Sequence, residues 1–470
     1  MTGAASATYR FDHVHQPQGW LSPGYVTVVD GAIRDISAQP PTTGAVEAVG
    51  GYALPGMHNL HSHAFQRALV GQTEFVSAST ASDDLWTWRE SMYRLVDAID
   101  PDDYEAIAEF TYVQLLKGGF TTVCEFHYLH HARGGARYGD PAEMSMCLGA
   151  AARASGIALT LLPTLYMHGG IGRDVSGPQR RFAHSGPDEY LALIDSLAAS
   201  WAHLPTLAVG IAFHSLRAVA PAELVQVLAA TRIAQPQRRV HIHVSETLRE
   251  VAEVEAGLGA RPVRWLLDEV GLDGHWTLVH ATHLDAVERE GLARSGAVAG
   301  LCPLTEATLG DGVFPLLEHH ASGGRWGIGT DSQYDAAVAA ELRMLECGQR
   351  LRFGRRNVLA EPGPATTAHS GRRLYDLALA GGASASGREA RALAVGERAD
   401  LIVLNPDVAG LIGHCPATLL DAWLLSGTER AVRDVMVEGR WVIRDGCHPR
   451  DAIVAARFSQ ALARVRADRR

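Results

Sequence analysis

The sequence predicts an α/β protein: a (β/α)8 barrel of the TIM type, flanked by a small β-sandwich built from both chain ends. Three observations predict it. Eight short apolar runs read as strands, at 53–60, 121–128, 158–166, 207–214, 239–245, 276–281, 297–302 and 325–330. Helical stretches separate them, for example 101–117, 187–200, 221–233 and 336–350, and such alternation implies βα units around a parallel sheet. Histidines and a carboxylate recur at or just past the ends of several of these runs, which is where barrel active sites lie.

The elements follow in order. Residues 8 to about 55 read as short strands with turns: Gly24–Val29 leads into Asp30-Gly31 and then Ala32–Ile36, and Asp-Gly between apolar runs is a hairpin signal. The alternating segment comes next, with Asp100-Pro101 as a helix start. Its mostly apolar strands favour a closed barrel over an open sheet. Pro362-Gly363-Pro364 and the stretch around Gly381-Gly382 read as loops rather than linkers. The C-terminal part mirrors the start, with a strand at 399–404 and a hairpin, 432–437 and 440–443, turning at Glu438-Gly439. The expected domains are 1–55 and 391–470 for the two parts of the sandwich, the latter with a terminal helix, and 56–390 for the barrel.

Composition excludes several classes. With 470 residues and 47% hydrophobic content, the chain can bury a large core. A net charge of −10 provides no basic field for nucleic acid or an anionic membrane. No apolar run reaches the roughly 20 residues of a membrane span. The N-terminus lacks the basic and apolar regions of a secretory signal. The six cysteines are scattered without a C-x-x-C, so a reduced, cytoplasmic protein without disulfides is expected.

The chemistry sits at the strand ends. His61 and His63 are two residues apart and face the same way on a strand. His243 adds a third nitrogen from the fifth strand, and Asp331 an oxygen after the eighth. Three histidines and one carboxylate on one divalent ion leave room for a water, as hydrolysis requires. His241 competes with His243 for the ligand role, but His243 lies nearer the strand's C-terminal end. Glu246 is either a proton shuttle beside that water or a helix N-terminal glutamate favoured by the dipole. His280 is a fifth ligand, a hydrogen-bond partner of the nucleophile, or a core histidine. His127, His130 and His131 do not fit the ligand pattern and read as surface or supporting residues. The donor set suits zinc, with iron or manganese as alternatives.

The segments PGMHNLHSHAFQ, HIHVSE, LVHATH and GIGTDSQ resemble the amidohydrolase superfamily, in its mononuclear deaminase branch. The flanking segments GERADLIVLNPD and VMVEGRWVIRDG fit the same superfamily. The resemblance covers essentially the whole chain. Members with two bridged metals often use a carboxylated lysine at the fourth strand. The only lysine here, Lys117, precedes the second strand, so one ion is implied. HSHAFQRAL, LWTWRESMY, CEFHYLHH, FHSLRAV and LCPLTEATLGDGVFP are most similar to the formiminoglutamate deiminase family. The last segment departs at Leu304 and Thr308, where a polar residue and an asparagine are expected.

The resemblance implies hydrolytic deimination of a small dicarboxylate, with Asp331, Glu246 and His280 catalytic. It implies Gln66, Arg89, Tyr128, His214 and Arg217 as substrate-binding positions, and a homodimer. Two carboxylates call for arginines, whose planar fork holds them bidentately. A ring deaminase of the same superfamily is the alternative, and it would want aromatic walls and amide donors instead. A non-catalytic binding protein on the same barrel is the alternative from another class. Convergence of Arg89 and Arg217 beside the metal ligands separates the first two readings.

Overall fold

Eight parallel strands follow one another around the barrel in chain order. They are β1 (Met57–Ser62), β2 (Phe120–His127), β3 (Ala158–Leu165), β4 (Leu207–Val209 and Ile211–Phe213), β5 (Val240–Val244), β6 (Trp276–His280), β7 (Val298–Leu301) and β8 (Arg325–Ile328). The computed structural model describes residues 6–76, 84–361, 368–388, 391–427 and 431–467. Pro362-Gly363-Pro364 lies outside the described residues. Helices cover the outside, so the strands are buried on both faces. That is why continuous apolar runs, not alternation, marked them in the sequence.

The barrel closes between β1 and β8 through a parallel bridge from Ser62 to Asp331. The amides of Thr330 and Asp331 each donate to the His61 carbonyl at 3.0 Å, and the His63 amide donates to the Asp331 carbonyl at 3.0 Å. The seam is therefore made by the residues expected to hold the metal.

Three expectations change. The run 53–60 is not one strand. It divides at Gly56: Tyr52–Pro55 pairs antiparallel with Leu401–Leu404, and Met57 begins the barrel. An apolar run cannot reveal that its two halves belong to different sheets. The fourth strand is interrupted at Gly210. Gly381 and Gly382 form no loop but lie inside a helix, Ser370–Ser386, packed on β8. A Cβ on Gly381 would lie 1.8 Å from the Trp326 carbonyl oxygen. The two glycines are there for close approach, which outweighs their poor helix propensity.

The chain ends form two sheets. Ser6–Phe11, Gly24–Val29, Ala32–Ser37 and Val46–Ala48 make the first. The second takes His13–Gln16, Gly19–Leu21 and Tyr52–Pro55 from the N-terminal end, and Leu401–Leu404, Val432–Val437 and Arg440–Ile443 from the other. Tyr9, Val26 and Ile33 of the first sheet share a buried cluster with Val14, Ala53, Leu401 and Met436 of the second. Both expected hairpin turns have left-handed backbone, at Asp30-Gly31 (φ 49° and 81°) and Glu438-Gly439 (φ 50° and 73°), as a tight two-residue turn requires.

The terminal helix, Asp451–Ala467, packs on Pro101–Lys117. Phe110 and Phe458 stack at 4.0 Å, and buried Glu109 accepts from Arg450 Nε at 2.7 Å. Among the described residues, no helix is long and apolar enough to cross a membrane.

Candidate active site

The strand ends bring four donor atoms together. His61 Nε2 lies 3.1 Å from His63 Nε2 and 3.1 Å from His243 Nε2. Asp331 Oδ1 lies 3.3 Å from both His61 Nε2 and His63 Nε2. Each of these four spacings is close to the edge of a tetrahedral shell of radius about 2.0–2.1 Å, the zinc–histidine distance. The ligand atoms of His61, His63 and Asp331 form one group within 4.8 Å of one another, and those of His61, His243 and His280 a second that shares His61. His63 Nδ1 donates to the Phe126 carbonyl at 2.8 Å, and His243 Nδ1 to the His214 carbonyl at 3.0 Å. Each therefore turns a bare Nε2 inward, with its ring fixed by the backbone. Burial lowers the pKa of all three histidines, to about 3 for His61, so they are neutral, as ligands must be. Burial alone would raise Asp331, but the surrounding His61, His63 and His280 hold its carboxyl well below the usual range. Lone pairs converging at this spacing in a buried site fit a divalent cation.

His241, two residues from His243, is not part of the cluster. Its Nε2 donates to the Ala385 carbonyl at 3.0 Å, deeper in the barrel.

Backbone geometry aims the remaining groups. Ser245, His280, Ala281, Asp331 and Gln333 all have positive φ, between 44° and 66°. Such left-handed residues cost about 1–3 kcal/mol each and gather where function demands a direction. His280 Nε2 faces Glu246 Oε1 at 3.4 Å, and its Nδ1 faces Glu306 Oε1 at 3.4 Å. Glu306 is in turn fixed by the Cys302 amide at 2.9 Å. Glu246 does not cap the following helix. Thr247 is the N-cap there, accepting from the Glu250 amide. Burial pushes the Glu246 carboxyl up. Burial alone would lower His280, but Glu246, Glu306 and Asp331 outweigh it and hold it up. The pair thus keeps a proton to higher pH than free side chains do.

All five expected substrate positions meet at this site. Gln66, Arg89, Tyr128, His214 and Arg217 line one pocket with His63, His243, Glu246, His280 and Asp331. A larger open cleft beside Lys117 and Asp451 contains none of these residues. Gln66 Nε2 donates to the Tyr128 hydroxyl at 2.9 Å, while Gln66 Oε1 and Arg217 Nε are buried without partners. Among the described residues, no carboxylate pairs with Arg89 or Arg217. Burial drives His214 well down, and Arg217, His63 and Arg89 add to it.

Some residues escaped the sequence reading. Buried Glu125 accepts from the Ser62 hydroxyl at 2.6 Å and the Ala64 amide at 2.7 Å, clamping the H-x-H segment. Burial raises its carboxyl to about 8. A lone acid inside an apolar strand was the available signal. Trp86 also lines the pocket, and Arg89 stacks over its ring at 4.4 Å. His127, His130 and His131 are buried, not on the surface: His130 and His131 pack against His184, and His127 against His130. The segment holding Leu304 and Thr308 is a short helix, Pro303–Leu309, whose Leu309 reaches the pocket.

Known proteins are similar to this chain. The amidohydrolase family model matches residues 52–442. A formimidoylglutamate deiminase of Pseudomonas aeruginosa is 48% identical over 451 residues, covering 96% of this chain and 97% of that protein. An 8-oxoguanine deaminase of the same organism is 28% identical over 90% of both chains. Among solved structures, an amidohydrolase from Brucella melitensis superposes with a TM-score of 0.90 at 37% identity, covering 98% of this chain and 99% of that one. An adenosine deaminase from Xanthomonas campestris, crystallised with zinc, shares the fold at a TM-score of 0.79 and 21% identity, covering 98% of each chain.

Proposed function

The chain belongs to the amidohydrolase family, and on that premise we propose that it hydrolyses N-formimino-L-glutamate to N-formyl-L-glutamate and ammonia. One observation carries the substrate: Arg89 and Arg217, neither paired with an acid among the described residues, line the same pocket as the metal-ligand cluster and Glu246. Two unpaired guanidiniums there suit a ligand with two carboxylates. The name of the Pseudomonas aeruginosa relative supports the same substrate.

His61, His63, His243 and Asp331 would hold one divalent ion, and three nitrogens with one oxygen suit zinc. When bound, the ion supplies a water of lowered pKa as nucleophile. Asp331 accepts a proton from that water. Glu246, whose burial favours the protonated form, donates to the formimino nitrogen and makes the carbon electrophilic. Oxygen then bonds to that carbon, and His280 Nε2 steadies the developing charge. Glu246, now a carboxylate, takes the proton of the adduct's hydroxyl and passes it to the terminal nitrogen. The carbonyl forms as the C–N bond breaks and ammonia leaves, and the proton held by Asp331 returns to Glu246. Arg89 and Arg217 grip the carboxylates, while Gln66, Tyr128 and His214 orient the chain between them. With this reaction we propose a role in histidine degradation and a cytoplasmic location, and, from the family resemblance, a homodimer.

The test is ammonia release from formiminoglutamate, guanine, cytosine and adenosine. The proposal expects turnover of the first alone. Turnover of a ring substrate in preference would favour a nucleobase deaminase instead, and no turnover on any would favour a binding protein. Light scattering of the purified protein checks the dimer.

A further inference from the structure

Three arginines gather on one indole. Arg249, Arg89 and Arg217 lie 4.1, 4.4 and 5.2 Å from the ring centroid of Trp86. Arg89 and Trp86 belong to the helix Leu85–Ala98, Arg217 follows β4, and Arg249 stands in the first turn of Leu248–Leu258. Trp86, Arg89 and Arg217 line the pocket, whereas Arg249 is exposed at its rim. The reaction described above gives Arg249 no part.

Its placement is unfavourable by itself. A cation in the first turn of a helix meets the positive end of the helix dipole. Two further guanidiniums share its ring. The nearby acids are engaged elsewhere: Glu250 accepts from the Glu246 amide at 3.1 Å, and Glu253 pairs with Arg173. Among the described residues, no carboxylate pairs with Arg249. Among the described residues, these three guanidiniums have no ion-pair partner, and like charges held together in this way favour an anion. The molecule as a whole has a net charge of −10 and repels one. A dianionic substrate therefore needs a local region of opposite sign at the entrance, and clustered charges over a low-dielectric wall focus such a field.

We infer that Arg249 is a specificity-determining residue at the pocket mouth, whose charge, held against Trp86, draws a dicarboxylate toward Arg89 and Arg217. This rests on the dicarboxylate reading of the pocket. Stacking on the indole keeps the guanidinium at the rim.

The experiment compares Arg249→Met, Arg249→Lys and Arg249→Glu with the unchanged enzyme. Kinetics on formiminoglutamate are run at ionic strengths of about 0.01 M and about 0.15 M, where the screening length falls from about 30 Å to about 8 Å. Binding of glutarate, followed by calorimetry, is measured alongside. At low salt, kcat/KM of Arg249→Met should fall about three- to tenfold through KM, since one charge supplies part of a steering effect of about 10–10³. Arg249→Glu should fall further, Arg249→Lys should keep most of the value, and all four proteins should converge at high salt. A loss independent of salt and equal in the Met and Lys variants would mean that Arg249 only props Trp86, and would overturn the inference. So would equal glutarate affinity in the unchanged and Glu proteins at low salt. If the unchanged protein bound no glutarate and released no ammonia from formiminoglutamate, the dicarboxylate reading itself would fall, and this inference with it.

Discussion

Glu246 stands where a proton carrier must, buried, 3.4 Å from His280 and outside the helix cap that would otherwise explain it. Glu246→Gln keeps the volume and removes the titrating proton. It should leave metal content and melting temperature close to normal while kcat falls by about 10²–10⁴. Near-normal turnover with full metal content would remove Glu246 from the mechanism. The arginines make a different prediction, because they read substrate rather than move protons. A charge-assisted contact is worth about 1.5–3 kcal/mol, so Arg217→Met or Arg89→Met should cost about one to two powers of ten in kcat/KM on formiminoglutamate. At least one of them should lose less on a formimino compound lacking the side-chain carboxylate. Equal losses on both compounds would show that neither arginine reads that group. At this scale the sequence was most legible where spacing speaks. Two histidines two apart at a strand end, and an acid three beyond a third histidine, carry their geometry with them. Glu125 and Arg249 do not. Each matters through a partner more than sixty residues away in the chain, Ser62 and Trp86 respectively.

Secondary elements were legible in proportion to how far their own residues decide them. Pro101–Lys117 begins at Asp100-Pro101, with the Asp100 side chain accepting from the Asp103 amide, and local capping alone locates it. Ser370–Ser386 shows the opposite case. Its Gly-Gly pair reads locally as a break, yet Gly381 is there because helix and strand backbones touch. Gly381→Ala would place a methyl 1.8 Å from the Trp326 carbonyl oxygen and 2.9 Å from the Gly327 amide nitrogen. No rotamer relieves a backbone clash, so β8 must move. Such overpacking costs about 1–3 kcal/mol or more, seen as a lower melting temperature. Because β8 leads directly into Asp331, metal affinity should fall with it. Gly348→Ala is the control: it also lies in a helix, but its nearest neighbour would be 3.9 Å away. That substitution should be neutral or stabilising by up to about 1 kcal/mol. The same change with opposite signs at two helical glycines would separate packing from propensity. If both variants melted alike, the close approach at β8 would not be what keeps Gly381.

On the scale of the molecule, the candidate site and the closure of the barrel are one structure. His61 and His63 end β1, Asp331 follows β8, and among the described residues the backbone hydrogen bonds between these segments join the first strand to the last. An ion held by His61, His63, His243 and Asp331 would tie both ends of the sheet to β5. This coupling was not legible in the sequence, which predicts ligands and strands separately and says nothing of which strand pair closes the ring. It has a consequence for stability. Ligand binding to the folded state adds about 4.1 kcal/mol at a thousandfold excess over Kd, and a metal whose ligands span the closure should express that gain at the seam. Removing the metal with a chelator should abolish ammonia release and lower the melting temperature by several degrees, and adding the ion back should restore both. Amide exchange should quicken most at Thr330, Asp331 and His63, whose amides form the seam. Asp331→Ala should melt low with or without added ion, because its share of the tie is gone. A chelated protein that lost activity but kept the melting temperature and seam protection of the loaded form would show that the ion serves chemistry alone, and that the backbone hydrogen bonds between β1 and β8 close the barrel unaided.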